Sequence, residues 1–407
     1  MEIEEDVVIV GAGIAGLATA LALKRVGVQA LVLEKSDTLR ATGAALTLSQ
    51  NAWLALDALG VGNKLSSVYP PFQKGFVTSV TTGAVREFTF TGIEKGVTGP
   101  RTLHRCTLLE TLAQELLVDT IRFSSKLCSI KTLKNGGSSV AVLSLEDGSI
   151  IKAKVVIGCD GVHSVVAQWL GLTTPIHSGR FAVRGIAVYP QGHGLKHEVQ
   201  QFLRGGTRAG LATLNDKELY WFVLYGSTPN RDEGTRNESP ELMQKKLLES
   251  ISNFPEVYLD VVRHCDLQTL TWSPLMLRVP WDFMFKHLST ENITLAGDAM
   301  HPMTPDLGQG ACAALEDAIV LGRHIGNSFI QNGRVLPGEV LERYVKERRW
   351  RVAGLITVSY LSGWFQQEGS TWYMKFLRDK VFYIFLYFFM ANVIYYNCGK
   401  LPCFVVH

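Results

Sequence analysis

Charge of one sign is what this sequence most conspicuously lacks. Its 407 residues carry 40 Lys and Arg against 37 Asp and Glu, a net of +3. A nucleic-acid binder shows a clustered basic excess, so that class is excluded. Low hydrophobicity is missing too: 47% of residues are apolar and 19% charged, which rules out a disordered or low-complexity chain. With 14 prolines and no internal repeat, collagen-like and Pro-rich linker proteins are out of play. The 7 cysteines are scattered and odd in number, the mark of free thiols in a reducing compartment, not of a disulfide framework. No Cys-x2–4-Cys pair lies near the first Gly-rich stretch, no clustered His/Cys spacing suggests a metal, and no GxSxG elbow suggests a serine nucleophile.

Targeting signals are also wanting. The start, MEIEEDVVIVGAG, has no basic region before strand-like sequence begins, so no signal or transit peptide is expected and the cytoplasm is the default location. Cys403 stands five from the end, one place off a prenylation box. One long apolar run exists, Val381–Tyr396, sixteen residues with eight aromatics. It is short for a membrane span, which needs about 20 residues. The expectation is a helix packed on the protein body, with weak membrane-surface contact by 381–396 as the alternative.

What is present begins with a βαβ pattern. The apolar run Asp6–Val10 leads into Gly11-Ala12-Gly13-Ile14-Ala15-Gly16, a small-apolar stretch from Leu17 to Val26, and a second apolar run, Ala30–Leu33, ending at Glu34. Continuous apolar strands suit a parallel sheet covered on both faces. Gly11 permits a tight turn, Gly13 lets backbone approach a pyrophosphate, and Gly16 allows close helix–strand packing. The helix N-terminus favours phosphate, and Glu34, eighteen residues after Gly16, suits ribose hydroxyls. On this motif alone FAD and NAD are equally possible.

Farther on, a helix is expected from Thr107 to Leu117, after Arg105, and strands over Ile121–Leu145 with a turn at Asn135-Gly136-Gly137. A strand at Ala153–Ile157 ends at Gly158-Cys159-Asp160-Gly161. From Arg180 to Trp272 the segments alternate and are rich in aromatic and β-branched residues, as in an antiparallel sheet. Ser227–Glu241 reads as an exposed loop, followed by a helix to Ile251. A third buried strand, Asn292–Ala296, ends at Gly297-Asp298, and after Gly308-Gln309-Gly310 a helix is expected to about Ile325. The fold class is therefore α/β: a Rossmann-type parallel sheet, a mostly antiparallel sheet inserted in it, and C-terminal helices. The expected division is 1–75 with 100–180 and 275–340 for the nucleotide unit, 76–99 with 181–274 for the inserted sheet, and 341–407 for a helical region.

Three stations, Gly11–Gly16, Gly158–Ser164 and Gly297–Asp298 through Gly308–Gly310 with Glu316-Asp317-Ala318, occur in one order. In this the chain resembles the single-component FAD-dependent monooxygenases, aromatic-ring hydroxylases of the p-hydroxybenzoate and salicylate hydroxylase type, over residues 6 to about 350. The C-terminal aromatic helix and the tail Asn397–Pro402 are similar to the plant monooxygenase branch grouped with 3-hydroxybenzoate 6-hydroxylases.

The resemblance implies FAD as cofactor and NADH or NADPH as a transient co-substrate with no Rossmann unit of its own. It implies cofactor contacts at Gly11, Gly13, Ile14, Ala15, Gly16, Glu34, Lys35, Arg105, Asp160, Gly161, Gly297, Asp298, Pro305, Gly308, Gln309, Gly310 and Ala311, with Arg101 and Arg40 as weaker candidates. Asp298 would take ribityl hydroxyls, and the Gly308-Gln309-Gly310 turn would present amides where charge develops on reduction. His301 is expected to pack behind the site. Cys159 and Ala167 depart from the family pattern, which often has Ala and Arg there, so no mode of holding NADPH is carried over.

For the substrate, Arg184, Tyr220, Trp221, Phe222 and Tyr225 are available. Alternation puts Tyr220 and Phe222 on one face and Trp221 on the other, and leaves open which face meets the cofactor. Tyr220, Arg184 and Pro305 are the candidate catalytic residues. The implied reaction is hydroxylation of a small phenolic ring with O2 through a flavin C4a-hydroperoxide, by a monomer. Alternatives are a same-fold flavin epoxidase or reductase acting on an isoprenoid or other apolar substrate, a hydroxylase of a purine-like ring, or a prenyl-protein escort without catalysis. The flavin station speaks against the escort.

Overall fold

The computed structural model describes residues 2–39, 44–90, 99–135, 138–226, 238–331, 338–365 and 383–403. Arg40, the Gly136-Gly137 pair and most of the 227–241 stretch lie outside them.

The first sheet is built on the strand Glu2–Val10. It pairs in parallel with Leu31–Leu33 on one side and Ile150–Gly158 on the other, and Leu31–Leu33 in turn pairs with Ile121–Arg122. Ile293–Leu295 adds a parallel strand beside the last three residues of Ile150–Gly158. The hairpin Leu127–Asn135 and Ser138–Leu145 pairs antiparallel with its beginning. Val7, Val8 and Ile9 are fully buried, as strands covered on both faces must be. The three Gly stations therefore sit side by side at the C-terminal ends of neighbouring parallel strands, where α/β folds bind ligands.

The second sheet has seven strands, ordered Thr271–Leu277, Ile176–Val188, Glu218–Gly226, Thr207–Thr213, Val199–Arg204, Lys74–Ser79 and Val85–Thr89. All neighbours are antiparallel except Val199–Arg204 with Lys74–Ser79. Trp221 on one of its faces is fully buried in a core with Leu247, Ile251, Tyr258 and Val262 of the helices Pro240–Ser250 and Glu256–Arg263. Tyr220 and Phe222 occupy the opposite face, which these two helices do not cover.

Some element bounds differ from those read along the sequence. The helix placed at Thr107–Leu117 runs from Arg105 to Gln114, so Arg105 is its first residue. The helix placed up to Ile325 continues to Gln331. Two helices not read along the sequence, Gln50–Leu59 and Gly62–Ser66, follow the strand Ala45–Leu48, and the first buries Asn51 along with its apolar residues.

Helix Gly310–Gln331 is the spine of the molecule. It packs on Ile14–Arg25 through glycines: a Cβ on Gly322 would lie 2.7 Å from the Cβ of Ala22, and one on Gly326 would lie 2.8 Å from Val26. The tail residues Leu401 and Pro402 press on the same two glycines. Helix Glu339–Phe365 crosses behind it. Within the aromatic run, helix Tyr383–Ile394 packs Phe389, Met390 and Val393 against Leu307, Leu355 and Val358. Among the described residues no helix is long and apolar enough to cross a membrane.

Candidate cofactor and active site

At the first station each glycine has its own reason. Gly11 has φ +103°, a left-handed conformation, and a Cβ there would lie 2.5 Å from the Cys159 carbonyl oxygen. Gly16 is closed to any side chain, since its Cβ would come within 1.8 Å of the Gly11 carbonyl oxygen. Gly13 is different: a Cβ there would meet nothing within 4 Å. Its backbone faces open space at the N-terminus of helix Ile14–Arg25, as pyrophosphate recognition requires.

Glu34 is held rigid. Its two carboxylate oxygens accept the Ala12 and Ser36 amides, each at 2.9 Å, and the residue is only 6% exposed. Glu34, Lys35, Arg105, Asp160, Gly161 and His163 line, with Gly11–Gly13, a cavity of about 310 Å³. Asp160 accepts the Val165 amide at 2.7 Å through Oδ2, whereas its buried Oδ1 has no partner. Burial raises its pKa despite hydrogen bonds from Ser164 and the backbone. A buried acceptor without a donor is costly, and a hydroxyl or amide donor from a nucleotide would satisfy it.

Across the loop, Gly297 has φ +61°, and a Cβ there would lie 2.7 Å from that of Ala15, so the first and third stations touch. Asp298 is exposed between the buried Gly297 and Ala299. Surrounding protein raises its pKa, while His301, Arg105 and Arg184 pull it down. Arg105 and Arg184, which act on this carboxyl, come from two further elements, the helix Arg105–Gln114 and the strand Ile176–Val188. Pro305–Leu307 forms one 3-10 turn, Gly308 follows with φ +65°, and Gly310 opens the spine helix. Gln309 is fully buried and turned inward: its Oε1 accepts from Asn51 at 2.9 Å and its Nε2 donates to Ser49 at 3.2 Å. Its side chain is therefore a brace for the turn, leaving backbone as the means of contact.

These features fit FAD: an open glycine at a helix N-terminus, an anchored ribose-side carboxylate, an unmet acceptor at Asp160, and an acid with a glycine turn at the far end. The family model for the FAD binding domain matches residues 4–359. The chain belongs to the FAD-dependent monooxygenases. It is 38% identical to Monooxygenase 2 of Arabidopsis thaliana over 97% of this chain and 98% of that one. It is 30% identical to 3-hydroxybenzoate 6-hydroxylase of Klebsiella oxytoca over 78% of each. Its fold matches the crystal structure of Klebsiella pneumoniae HpxO complexed with FAD and uric acid, with a TM-score of 0.78 at 21% identity, over 97% of this chain and 96% of that one. FAD is the cofactor, and NAD(P)H is the reductant typical of the family.

The monooxygenase keeps its cofactor stations in place with buried ion pairs that join motif residues such as Asp317 to distant arginines. Asp317 accepts the Gly297 amide at 2.8 Å, lies 2.6 Å from His301 Nε2, and accepts Arg348 Nε at 2.7 Å. His301 is fully buried behind the site, as expected. Burial by itself pushes the Asp317 carboxyl up, but His301 and Arg348 outweigh it and hold it at about 2. Arg180 makes two bonds to Asp306, at 2.8 and 2.9 Å, and Arg208 donates to the Asp306 carbonyl at 3.0 Å, tying the second sheet to the Pro305–Leu307 turn. Arg101 braces Tyr69 by donating to its carbonyl at 2.6 Å.

On the open face of the second sheet, Arg184 pairs across strands with Phe222, and Tyr220 stands two residues from it. Burial raises the Tyr220 pKa, partly countered by Arg184. The Phe222 ring covers Gly210, whose Cβ would be 2.7 Å from it. Of the three catalytic candidates, Arg184 and Tyr220 are thus neighbours on one face, whereas Pro305 belongs to the cofactor-side turn.

Proposed function

We propose that this monooxygenase hydroxylates a small phenolic ring, using NAD(P)H and O2, and that the ring sits between Asp298–Gly310 and the sheet face bearing Arg184, Tyr220 and Phe222. One observation carries the reading. That face holds a cation, a phenol and a second aromatic ring: Arg184 is paired across strands with Phe222, and Tyr220 stands two residues from it. Bound FAD supplies the redox chemistry and the activation of oxygen. The protein supplies the rest. Gly13 and the helix start hold phosphate, Glu34 and Asp160 hold hydroxyls, and Arg105 adds positive charge. Tyr220, with its raised pKa, stays protonated at neutral pH, so it orients a substrate oxygen by hydrogen bonding and is no base. Arg184 favours the ionised phenol, which is the more electron-rich form. Phe222 over Gly210 offers the apolar slab that such a ring needs.

The test is substrate-dependent NAD(P)H oxidation by the FAD-loaded enzyme across monohydroxybenzoates and related phenols, with the product analysed for label from 18O2. One labelled oxygen in a ring hydroxyl is expected. Turnover confined to non-aromatic alkenes would replace this substrate class with the epoxidase alternative.

A further inference from the structure

The C-terminal segment reaches the cofactor turn by two routes, one apolar and one that ends at the Asn51–Gln309 brace. The apolar route is short: Phe389, Met390 and Val393 pack on Leu307 and Met303, the residues flanking Pro305. The polar route is a chain that runs from part-buried to fully buried groups. Tyr396 lays its ring 3.8 Å from the Arg351 guanidinium, and Arg351 also donates to the Val393 carbonyl at 3.1 Å. Arg351 grips both oxygens of Glu316, at 2.7 and 2.5 Å. The same carboxylate accepts Asn51 at 2.6 Å, and the Asn51 amide bonds Gln309. Asn51, Gln309 and Glu316 are all fully buried.

We propose that Tyr396 and Arg351 are positioning residues for the Gly308-Gln309-Gly310 turn, so that the C-terminal segment acts as a strap on the flavin end. The physical reason lies in the buried carboxylate. Glu316 and Asp317 are adjacent, fully buried acids, and buried charges are tolerated only with complete pairing. Arg348 serves both, at 2.7 Å each, and Arg351 is the outer partner that completes Glu316. Tyr396 covers that outer partner and keeps water from competing for it. Loosening Arg351 frees Glu316, then Asn51, then the Gln309 brace. Binding at the turn and order in the strap are coupled reciprocally.

Two measurements test this, neither of them activity. In the first, Tyr396→Phe and Tyr396→Met are compared for FAD dissociation constant and for the visible absorption of the bound flavin. Phe keeps the ring face and is expected within twofold of the native protein. Met keeps apolar bulk without the face, and is expected to bind FAD about tenfold more weakly with blunted vibronic structure. In the second, the unaltered protein is followed by hydrogen exchange with and without FAD, and the amides of 393–397 are expected to slow when FAD binds. A native-like affinity and spectrum in Tyr396→Met, or equal losses in both variants, would overturn the proposal. Exchange at 393–397 indifferent to FAD would overturn it without any variant. Because no aromatic substrate is used, these results stand apart from the identity of the hydroxylated ring.

Discussion

At Gly13 and Gly16 the same substitution meets opposite surroundings. An alanine at Gly16 would drive its Cβ into the Gly11 carbonyl, whereas one at Gly13 would point into open space. Overpacking of this kind costs about 1–3 kcal/mol. Gly16→Ala is expected to lower the Tm of the apoprotein by several degrees. Gly13→Ala is expected to leave that Tm unchanged and to weaken FAD binding at least tenfold, because the methyl occupies the line of pyrophosphate approach. Thermal melts and FAD titration on both variants separate the cases. A Gly13→Ala protein with native FAD affinity would remove pyrophosphate from that spot. Asp317 offers a second contrast at this scale. Its carboxyl is held at about 2, below the ordinary carboxylate value. Its contribution is therefore full above the unfolded pKa near 4 and is lost as pH falls from about 4 through 2, a span worth roughly 2 kcal/mol. Asp317→Asn is expected to be less stable at pH 7 and to show a shallower loss of stability between pH 4 and 2, as read by urea unfolding at stepped pH.

Elements are joined here by pairs that lie far apart in the chain, which explains what the sequence displayed and what it concealed. The Gly-rich loop, Glu34 and the Gly297-Asp298 turn are local patterns, legible because steric and phosphate demands act within a few residues. Alternation over Tyr220–Phe222 was equally plain, but its polarity depended on the helices 240–250 and 256–263 covering Trp221. Arg180 and Asp306 are 126 residues apart, and Asn51 and Gln309 are separated by 258. No periodicity links such partners, so they become visible only when the strand Ile176–Val188 and the Pro305–Leu307 turn meet. The Arg180–Asp306 pair also lies beneath Gly363, whose Cβ would fall 2.8 Å from Asp306 Oδ2. Three elements converge there, and the Asp306 side chain is fully buried. Asp306→Asn is expected to cost about 3–5 kcal/mol by stranding a buried guanidinium. The double change Arg180→Met with Asp306→Leu should recover much of that loss, since well-packed apolar pairs replace buried ion pairs at little cost. Chemical denaturation of the two variants checks this, and a double variant as unstable as the single would show that the charges do more than satisfy each other.

For the molecule as a whole, the substrate position we propose divides the labour between the two sheets, cofactor on the first and substrate on the second, and that division has a measurable consequence. Glu34, Gly13 and Asp160 sit on the first sheet, and Arg184 and Tyr220 on the second, with Asp298 between them. Losing a charge-assisted hydrogen bond costs about 1.5–3 kcal/mol, or roughly ten- to a hundredfold in rate or affinity. Arg184→Met is therefore expected to lower kcat/KM for a phenolic substrate by about that factor while the protein stays yellow, with FAD affinity within twofold of native. Tyr220→Phe removes only an orienting hydroxyl, so its smaller effect should fall on coupling: more of the NAD(P)H consumed should end as hydrogen peroxide and less as product. Stopped-flow reduction, peroxide yield and FAD titration on the two variants give the three readouts. If Arg184→Met instead releases FAD and leaves substrate kinetics intact, the arginine serves the cofactor, and the ring must bind on some other surface than the one facing Asp298.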